Sequence, residues 1–282
     1  MEDFKQRAKS ASLLATLQAG FTDFHYLRYI WEVTTKEDAL IGVGLTGIGS
    51  NAIDETYDLV AISDIVKQTN QEVALKIGIE PAARTTTVKP SGTTSCVVGQ
   101  SSGIHAWYDD YYIRRIQLNS NDPLVPYLLN NHPELIKPYQ AIPGSYVLEI
   151  PQKAPENAIL RHESALTFLE RVLKYNLEWV RPGHVEGANM NNVSATCYVK
   201  ADEWDAVGKW IWDNRNSVNG ISVLPYDGGT YIQAPFETIS KETYESMMTQ
   251  LHAIDLTQVI EEEDNTSLRD ELACVGGSCE IK

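Results

Sequence analysis

The stretch that decides the fold is TTTVKPSGTTS, residues 85–95 of a 282-residue chain. Its β-branched start favours a strand, and the Pro-Ser-Gly that follows favours a turn. A strand that ends in such a turn presents hydroxyls and backbone N–H groups together, and a helix beginning there adds a positive dipole end. Glycine also lets a ligand approach the backbone closely. The stretch therefore predicts either a phosphate-binding turn or an ordinary capped start of a helix.

Helix and strand patterns alternate on both sides of this turn. The predicted helices are residues 2–19, residues 52–78, residues 161–180 and the segment that contains Trp204 and Trp210. The predicted strands are residues 41–49, 85–88, 192–199 and 220–224. Alternation of this kind indicates an α/β layer or barrel with mainly parallel strands.

Residues 41–49, IGVGLTGIG, contain a GxGxxG pattern of the kind that binds dinucleotide phosphates. No acidic residue follows a second strand at the expected offset, so we favour glycines packed in a crowded sheet interior.

Composition narrows the possible functions. The chain has 38 Asp+Glu against 23 Lys+Arg, a net charge of −15, which disfavours non-specific binding to nucleic acid. Apolar runs fall far short of the ~20 residues that a membrane span needs, and the N-terminus is charged where a signal peptide is apolar. We therefore expect a cytoplasmic protein with no membrane and no direct nucleic-acid partner. Residues 1–260 hold the core material, and residues 261–282 predict an acidic tether and tail.

The four cysteines fall into two groups. Cys96 and Cys197 stand alone among small or apolar residues, which favours buried small hydrophobes. Cys274 and Cys279 enclose two glycines in the tail, so their sulfurs can meet, and a tethered dithiol can exchange with a buried disulfide. A zinc site would need more ligands, a structural disulfide is disfavoured in a reducing compartment, and incidental thiols remain the alternative.

Two further groups of polar residues admit a structural explanation. The pair Arg114 and Arg115 could bind anions, but a surface ion pair with Asp109 and Asp110 is slightly favoured. His184-x-Glu186 offers too few ligands for a metal, so we predict a loop held by hydrogen bonds and no metal site.

Four segments, in order along the chain, carry a family resemblance. They are VKPSGTTSCVVGQSSGIHAWYDDYYIRRIQ, HVEGANMNNVSATCYV, NGISVLPYDGGTYIQAPFE and CVGGSCEIK. Together they resemble the C-terminal part of class II, adenosylcobalamin-dependent ribonucleotide reductases, in particular the monomeric form that acts on ribonucleoside triphosphates. The resemblance implies the C-terminal half of a ten-stranded α/β barrel with a flexible C-terminal redox tail.

The resemblance also implies roles for particular residues. The substrate phosphates would be held by Ser91, Gly92, Thr93, Thr94 and Ser95. The tail dithiol, Cys274 and Cys279, would re-reduce the active site and be recharged by thioredoxin. Adenosylcobalamin would be the cofactor, with no contact residue assigned in this chain.

One part of the family pattern is missing. The radical-bearing cysteine of the family lies in an Asn-x-Cys-x-Glu loop, and no such sequence occurs here. The redox cysteine of the first barrel strand and the N-terminal specificity region are missing as well. We therefore expect activity only together with an N-terminal partner that supplies the rest. The alternative is a non-catalytic nucleotide-binding module derived from the same barrel, for which an exposed tail dithiol has no use.

Overall fold

The computed structural model describes residues 2–53, 56–92, 94–226 and 232–261. The described residues form two compact units. The first unit comprises residues 2–91, 95–105 and 162–226, and the second comprises residues 92–94, 106–161 and 232–261. No helix within these described ranges is long and apolar enough to cross a membrane.

Helices and strands alternate through much of the chain. The helices are α1 (Glu2–Ala19), α2 (Tyr29–Asp38), α3 (Leu59–Ile77), α4 (Thr94–Val97), α5 (Leu124–Asn131), α6 (Ala165–Tyr175), α7 (Trp204–Asp213) and α8 (Lys241–Gln250). The strands are β1 (Val43–Gly44), β2 (Thr86–Thr87), β3 (Tyr111–Leu118), β4 (Ile136–Pro138), β5 (Tyr146–Lys153), β6 (Ala195–Val199), β7 (Ile221–Pro225) and β8 (Phe236–Thr238). Short 3₁₀ turns lie at Ile48–Ser50 and Leu256–Gln258, and a π-helical turn lies at Asn176–Val180.

Parallel strands form the centre of the first unit. β1 pairs with β2 and β6 pairs with β7, each pair parallel. A parallel bridge between Val88 and Val193 joins the two pairs, so the order is β1-β2-β6-β7. The predicted parallel α/β arrangement is confirmed for this unit, and the predicted half-barrel stays a prediction.

Helix boundaries follow from local capping. α3 begins at Leu59 because the Asp58 carboxylate accepts a hydrogen bond from the N–H of Ala61 at 3.0 Å. It ends where Gly78 adopts a left-handed φ of 77°. The predicted helix over residues 52–78 is therefore confirmed with a later start.

A π-helical turn extends α6 and brings Trp179 into the core. The Trp179 side chain is fully buried, and its indole N–H donates to the carbonyl oxygen of Thr87 at 3.0 Å. Ile62, Val66, Leu169 and Val172 are each at most 1% exposed and belong to the same core. The helix predicted over residues 161–180 thus spans two segments, α6 and the π-helical turn.

The second unit has a different topology. Its sheet has the order β4-β5-β3-β8, and every pair in it is antiparallel. β3 and β5 pair along eight residues, from Tyr111 opposite Lys153 to Leu118 opposite Tyr146. The expectation of mainly parallel strands is wrong for this unit, because the chain between these strands contains the β4 strand and a short helix rather than a crossover helix that would cover the sheet.

Candidate substrate phosphate site

The predicted phosphate turn lies where the chain leaves the parallel sheet of the first unit. β2 ends at Thr87, Val88 still bridges to Val193, and residues 91–95 follow directly. α4 begins at Thr94, so the strand predicted before the turn is confirmed and a short helix does begin after it. In α/β folds, ligands bind at the carboxyl ends of parallel strands, which is where this turn is placed.

Ser91 makes one short and two long hydrogen bonds with other residues that the structure describes. Its backbone N–H donates to Ser102 Oγ at 2.9 Å. Its Oγ lies 3.3 Å from Thr46 Oγ1 and 3.3 Å from Ser102 Oγ. The backbone N–H of Ser91 is therefore already engaged, whereas the contacts of its hydroxyl with the described residues are long and can be replaced by a stronger acceptor.

The other predicted residues of the turn differ in accessibility. Ser95 is 2% exposed, and its carbonyl oxygen accepts the N–H of Gln100 at 2.8 Å, so it supports the turn from inside. Thr94 is exposed, and Gly92 has a left-handed φ of 56°. A Cβ placed on Gly92 would meet nothing within 4 Å among the described residues, which leaves space for a ligand. Thr93 lies outside the described residues.

The glycine-rich segment after β1 contributes a second loop at the same edge. Thr46 Oγ1 donates to the carbonyl oxygen of Ser101 at 2.8 Å and accepts the N–H of Gly103 at 3.1 Å. The N–H of Gly47 also donates to the Ser101 carbonyl, at 3.0 Å. Sequence reasoning missed Thr46 and Ser102. The available signal was their position, because the loop after β1 and the loop after β2 share one edge of a parallel sheet.

His105 joins the end of this loop region to strand β6. Its Nε2 accepts the N–H of Thr196 at 3.0 Å, and its Nδ1 lies 3.1 Å from the carbonyl oxygen of Ser102. An acceptor at Nε2 and a donor at Nδ1 define one neutral tautomer. Burial lowers the pKa of His105, the bond to Ser102 opposes this, and the positive charge of Arg171 lowers the pKa further.

The arginine pair has a structural role with other partners than predicted. Arg115 pairs with Glu149 at 2.7 Å and with Glu237 at 2.6 Å, and its side chain is only 8% exposed. Arg114 is buried, with its guanidinium 5.5 Å from the centre of the Phe236 ring. The predicted surface pairing with Asp109 and Asp110 is wrong for Arg115, because the antiparallel register places β5 and β8 on either side of it.

The segment around His184 is a hydrogen-bonded loop, as predicted. The N–H groups of Val185 and Glu186 both donate to the carbonyl oxygen of Ala83, at 2.9 and 3.2 Å. Nearby, the side-chain amide of Asn191 donates to the carbonyl oxygens of Ile41 and Thr86. Within the described part of the chain, three or more His, Cys, Asp or Glu side chains do not come together as a metal site would require.

The cysteines divide differently from the prediction. Cys197 is fully buried, as predicted, and burial raises the pKa of its thiol to about 12. Cys96 is exposed, so its predicted burial is wrong. In the short helix α4, the neighbouring Ser95 faces inward instead. Cys274 and Cys279 lie outside the described residues.

The fold is shared with a class of reductase. The structure matches the crystal structure of a B12-dependent, class II ribonucleotide reductase with a TM-score of 0.71. The match has 24% sequence identity and covers 89% of this chain and 39% of that one. No protein-family model matches the chain.

Proteins that are similar in sequence are also B12-dependent reductases. The chain is similar to adenosylcobalamin-dependent ribonucleoside-triphosphate reductases from Lactobacillus acidophilus, with 29% identity over 97% of this chain, and from Lactobacillus helveticus, with 30% identity over 83%. The resemblance inferred from the four sequence segments is thereby confirmed. The chain spans 41% of the first relative and 30% of the second, so it corresponds to less than half of either protein.

Proposed function

We propose that this chain is the C-terminal part of an adenosylcobalamin-dependent ribonucleotide reductase that converts ribonucleoside triphosphates to 2′-deoxyribonucleotides. The observation that carries the proposal is the Ser91 turn at the carboxyl end of β2, in a chain similar over most of its length to reductases of that name. The turn offers hydroxyl and N–H donors, so it suits a phosphate group even though the chain is strongly acidic.

The turn is tested by substrate binding. We expect Ser91→Ala, in the enzyme assembled with its N-terminal partner, to raise the Kd for CTP about tenfold, because one charge-assisted hydrogen bond is lost. Ser10→Ala on the exposed face of α1 is the matched control. Equal affinity of both variants for CTP, measured by calorimetry, would exclude Ser91 from the phosphate site.

The tail supplies electrons in this proposal. Replacing the ribose 2′-hydroxyl by hydrogen releases water and consumes two electrons and two protons, which two thiols supply as they become a disulfide. Exchange with the tail dithiol, Cys274 and Cys279, transfers that disulfide to the tail, where thioredoxin reduces it. A dithiol on a tether suits this task because the reacting centre must be closed to water and to a large protein partner.

The tail is tested by changing the reductant. We expect Cys274→Ser with Cys279→Ser to abolish multiple turnover with thioredoxin, while a small dithiol such as dithiothreitol still supports it. Cys96→Ser, at an exposed cysteine outside the tail, is the matched control. Unchanged thioredoxin-driven rates in the double variant would refute the role of the tail.

Two observations support the need for a partner chain. This chain matches only part of its relatives, and it exposes several aromatic side chains. The chain spans about two fifths of the first relative and lacks an Asn-x-Cys-x-Glu loop. α2 buries none of its residues, and Tyr26, Tyr29 and Trp31 are 99%, 76% and 53% exposed. Exposed aromatic residues are typical of interaction surfaces, so we assign this stretch of the chain to the contact with the N-terminal half of the reductase.

Reconstitution tests the partner requirement. We expect deoxynucleotide formation from CTP, adenosylcobalamin and dithiothreitol only when the N-terminal half is added. Trp31→Ser should weaken assembly, whereas Trp212→Ser, which is also exposed but lies on α7, should not. Turnover by this chain alone would contradict the proposal.

Adenosylcobalamin is the cofactor named for the relatives, and we propose it for the assembled enzyme, where it supplies the radical that starts the reaction. The cavity beside Thr22, Lys36 and Glu80 has a volume of about 210 Å³. Sites for drug-sized ligands measure ~300–1,000 Å³, so this cavity does not fit a cofactor as large as adenosylcobalamin. We therefore do not assign this cavity to the cofactor.

A further inference from the structure

Thr46 lies where three segments of the first unit meet. Its hydroxyl donates to the carbonyl oxygen of Ser101 at 2.8 Å, accepts the N–H of Gly103 at 3.1 Å, and lies 3.3 Å from Ser91 Oγ. One partly buried side chain thus contacts both the predicted phosphate turn and the segment that holds that turn.

The proton count fixes the direction of these bonds. A threonine hydroxyl has one proton, and the short bond to the Ser101 carbonyl uses it. In the contact between Thr46 and Ser91, Ser91 must therefore be the donor. Among the described residues, the Ser91 proton has two acceptors, Thr46 Oγ1 and Ser102 Oγ, each at the long distance of 3.3 Å.

The backbone at Gly103 packs closely against the backbone at Lys89, which fixes the position of the segment that Thr46 holds. Gly103 has a φ of 55°, and a Cβ there would lie 2.6 Å from the carbonyl oxygen of Lys89, so the segment after the turn packs directly against the strand end before it. Ser50 Oγ accepts the N–H of Ser101 at 3.0 Å, which fixes the same segment from the side of the β1 loop.

We propose that Thr46 is a positioning residue for the substrate phosphate. It holds the segment whose Ser102 hydroxyl binds the N–H of Ser91, and it gives the Ser91 proton a weak acceptor that a phosphate oxygen displaces on binding. The charged phosphate oxygen is the stronger acceptor, so the displaced contact at 3.3 Å is replaced by a shorter bond. This inference rests on the proposed function, because it assumes that the Ser91 turn binds phosphate.

The experiment compares matched variants in the enzyme assembled with its N-terminal partner. Thr46→Val keeps the shape and removes the hydroxyl, and Thr46→Ser keeps the hydroxyl. Thr85→Val is the control, because it removes one buried bond of 2.9 Å, from Thr85 Oγ1 to the carbonyl oxygen of Gly183. The measurements are the Kd and KM for CTP, kcat, and the melting temperature.

A positioning role and a merely structural role give different results. We expect Thr46→Val to raise KM and Kd about tenfold with kcat changed less than about twofold, and Thr46→Ser to restore most of the affinity. Thr85→Val should lower the melting temperature without changing KM. If Thr46→Val lowered only the melting temperature, or if Thr46→Ser failed to restore affinity, the inference would be wrong.

Two further variants separate the possible failures. If Thr46→Val does not assemble, Ser102→Ala decides, because it removes the acceptor of the Ser91 N–H and should raise KM in the same way. If Ser91→Ala lowers affinity and neither Thr46→Val nor Ser102→Ala does, only this inference fails. If Ser91→Ala also leaves affinity unchanged, the proposed phosphate site itself is refuted.

Discussion

His105 should make the stability of this chain fall below neutral pH. In the folded chain its Nε2 accepts the N–H of Thr196 at 3.0 Å, so a proton on Nε2 would place two N–H groups against each other. Burial and the charge of Arg171 also oppose protonation, and the pKa of His105 is accordingly lowered. In the unfolded chain, histidine takes up a proton at its ordinary pKa of about 6.5.

The difference in the pKa of His105 between the folded and unfolded chain sets the direction and size of the pH effect on the free energy of unfolding. Above pH 6.5 both states are neutral at His105 and the free energy of unfolding is unaffected by it. Below about pH 6.5 the unfolded state binds the extra proton, so stability is lost as pH falls, until the lowered native pKa of His105 is reached. For one histidine the loss is at most about 1.4 kcal/mol between pH 7.5 and pH 5.5.

Urea unfolding followed by tryptophan fluorescence at pH 7.5 and pH 5.5 measures this loss. His105→Gln removes the titrating ring, so the variant should lose less stability than the wild type across this pH range, by up to about 1.4 kcal/mol. Ser12→Ala is the control, because it removes a buried bond of 2.8 Å to the carbonyl oxygen of Val66 without removing a titratable group. An equal pH dependence in His105→Gln and the wild type would refute the reasoning.

Three other predictions concern packing and reactivity. Arg115→Met should destabilise the fold by about 3 kcal/mol in urea unfolding, because it leaves the mostly buried carboxylate of Glu149 without its charged partner, and a smaller effect than 1 kcal/mol would contradict this. Gly103→Ala should lower the free energy of unfolding by about 2 kcal/mol or more in the same assay. Gly103 has a positive φ, and the added Cβ would lie 2.6 Å from the carbonyl oxygen of Lys89. Iodoacetamide at pH 8 should label Cys96 and spare Cys197, whose buried thiol has a pKa of about 12, and peptide mass spectrometry showing equal labelling of both would be the opposite outcome.

The unexpected partners of Arg115 and the unexpected sheet of the second unit have a common physical origin. The sequence placed the partners of Arg115 among its near neighbours in the chain, whereas the sheet register places Glu149 and Glu237 beside it from distant strands. A single sequence contains periodicity and composition, which are local, but strand pairing is a property of the folded chain. For the same reason the antiparallel sheet of the second unit was not foreseen.

By itself, the sequence determined most elements of the first unit and the turn of the candidate site, but it did not predict α2. The β-branched run before Pro90 and the Ser/Thr/Gly turn after it are local signals, and both are present as predicted. Only the tertiary structure decided what surrounds that turn. Parallel pairing of β1 with β2 brings the ends of both strands to one edge, so that Thr46 meets Ser91 across 45 residues of chain. That meeting depends on which strands pair, and no local pattern in the sequence encodes it.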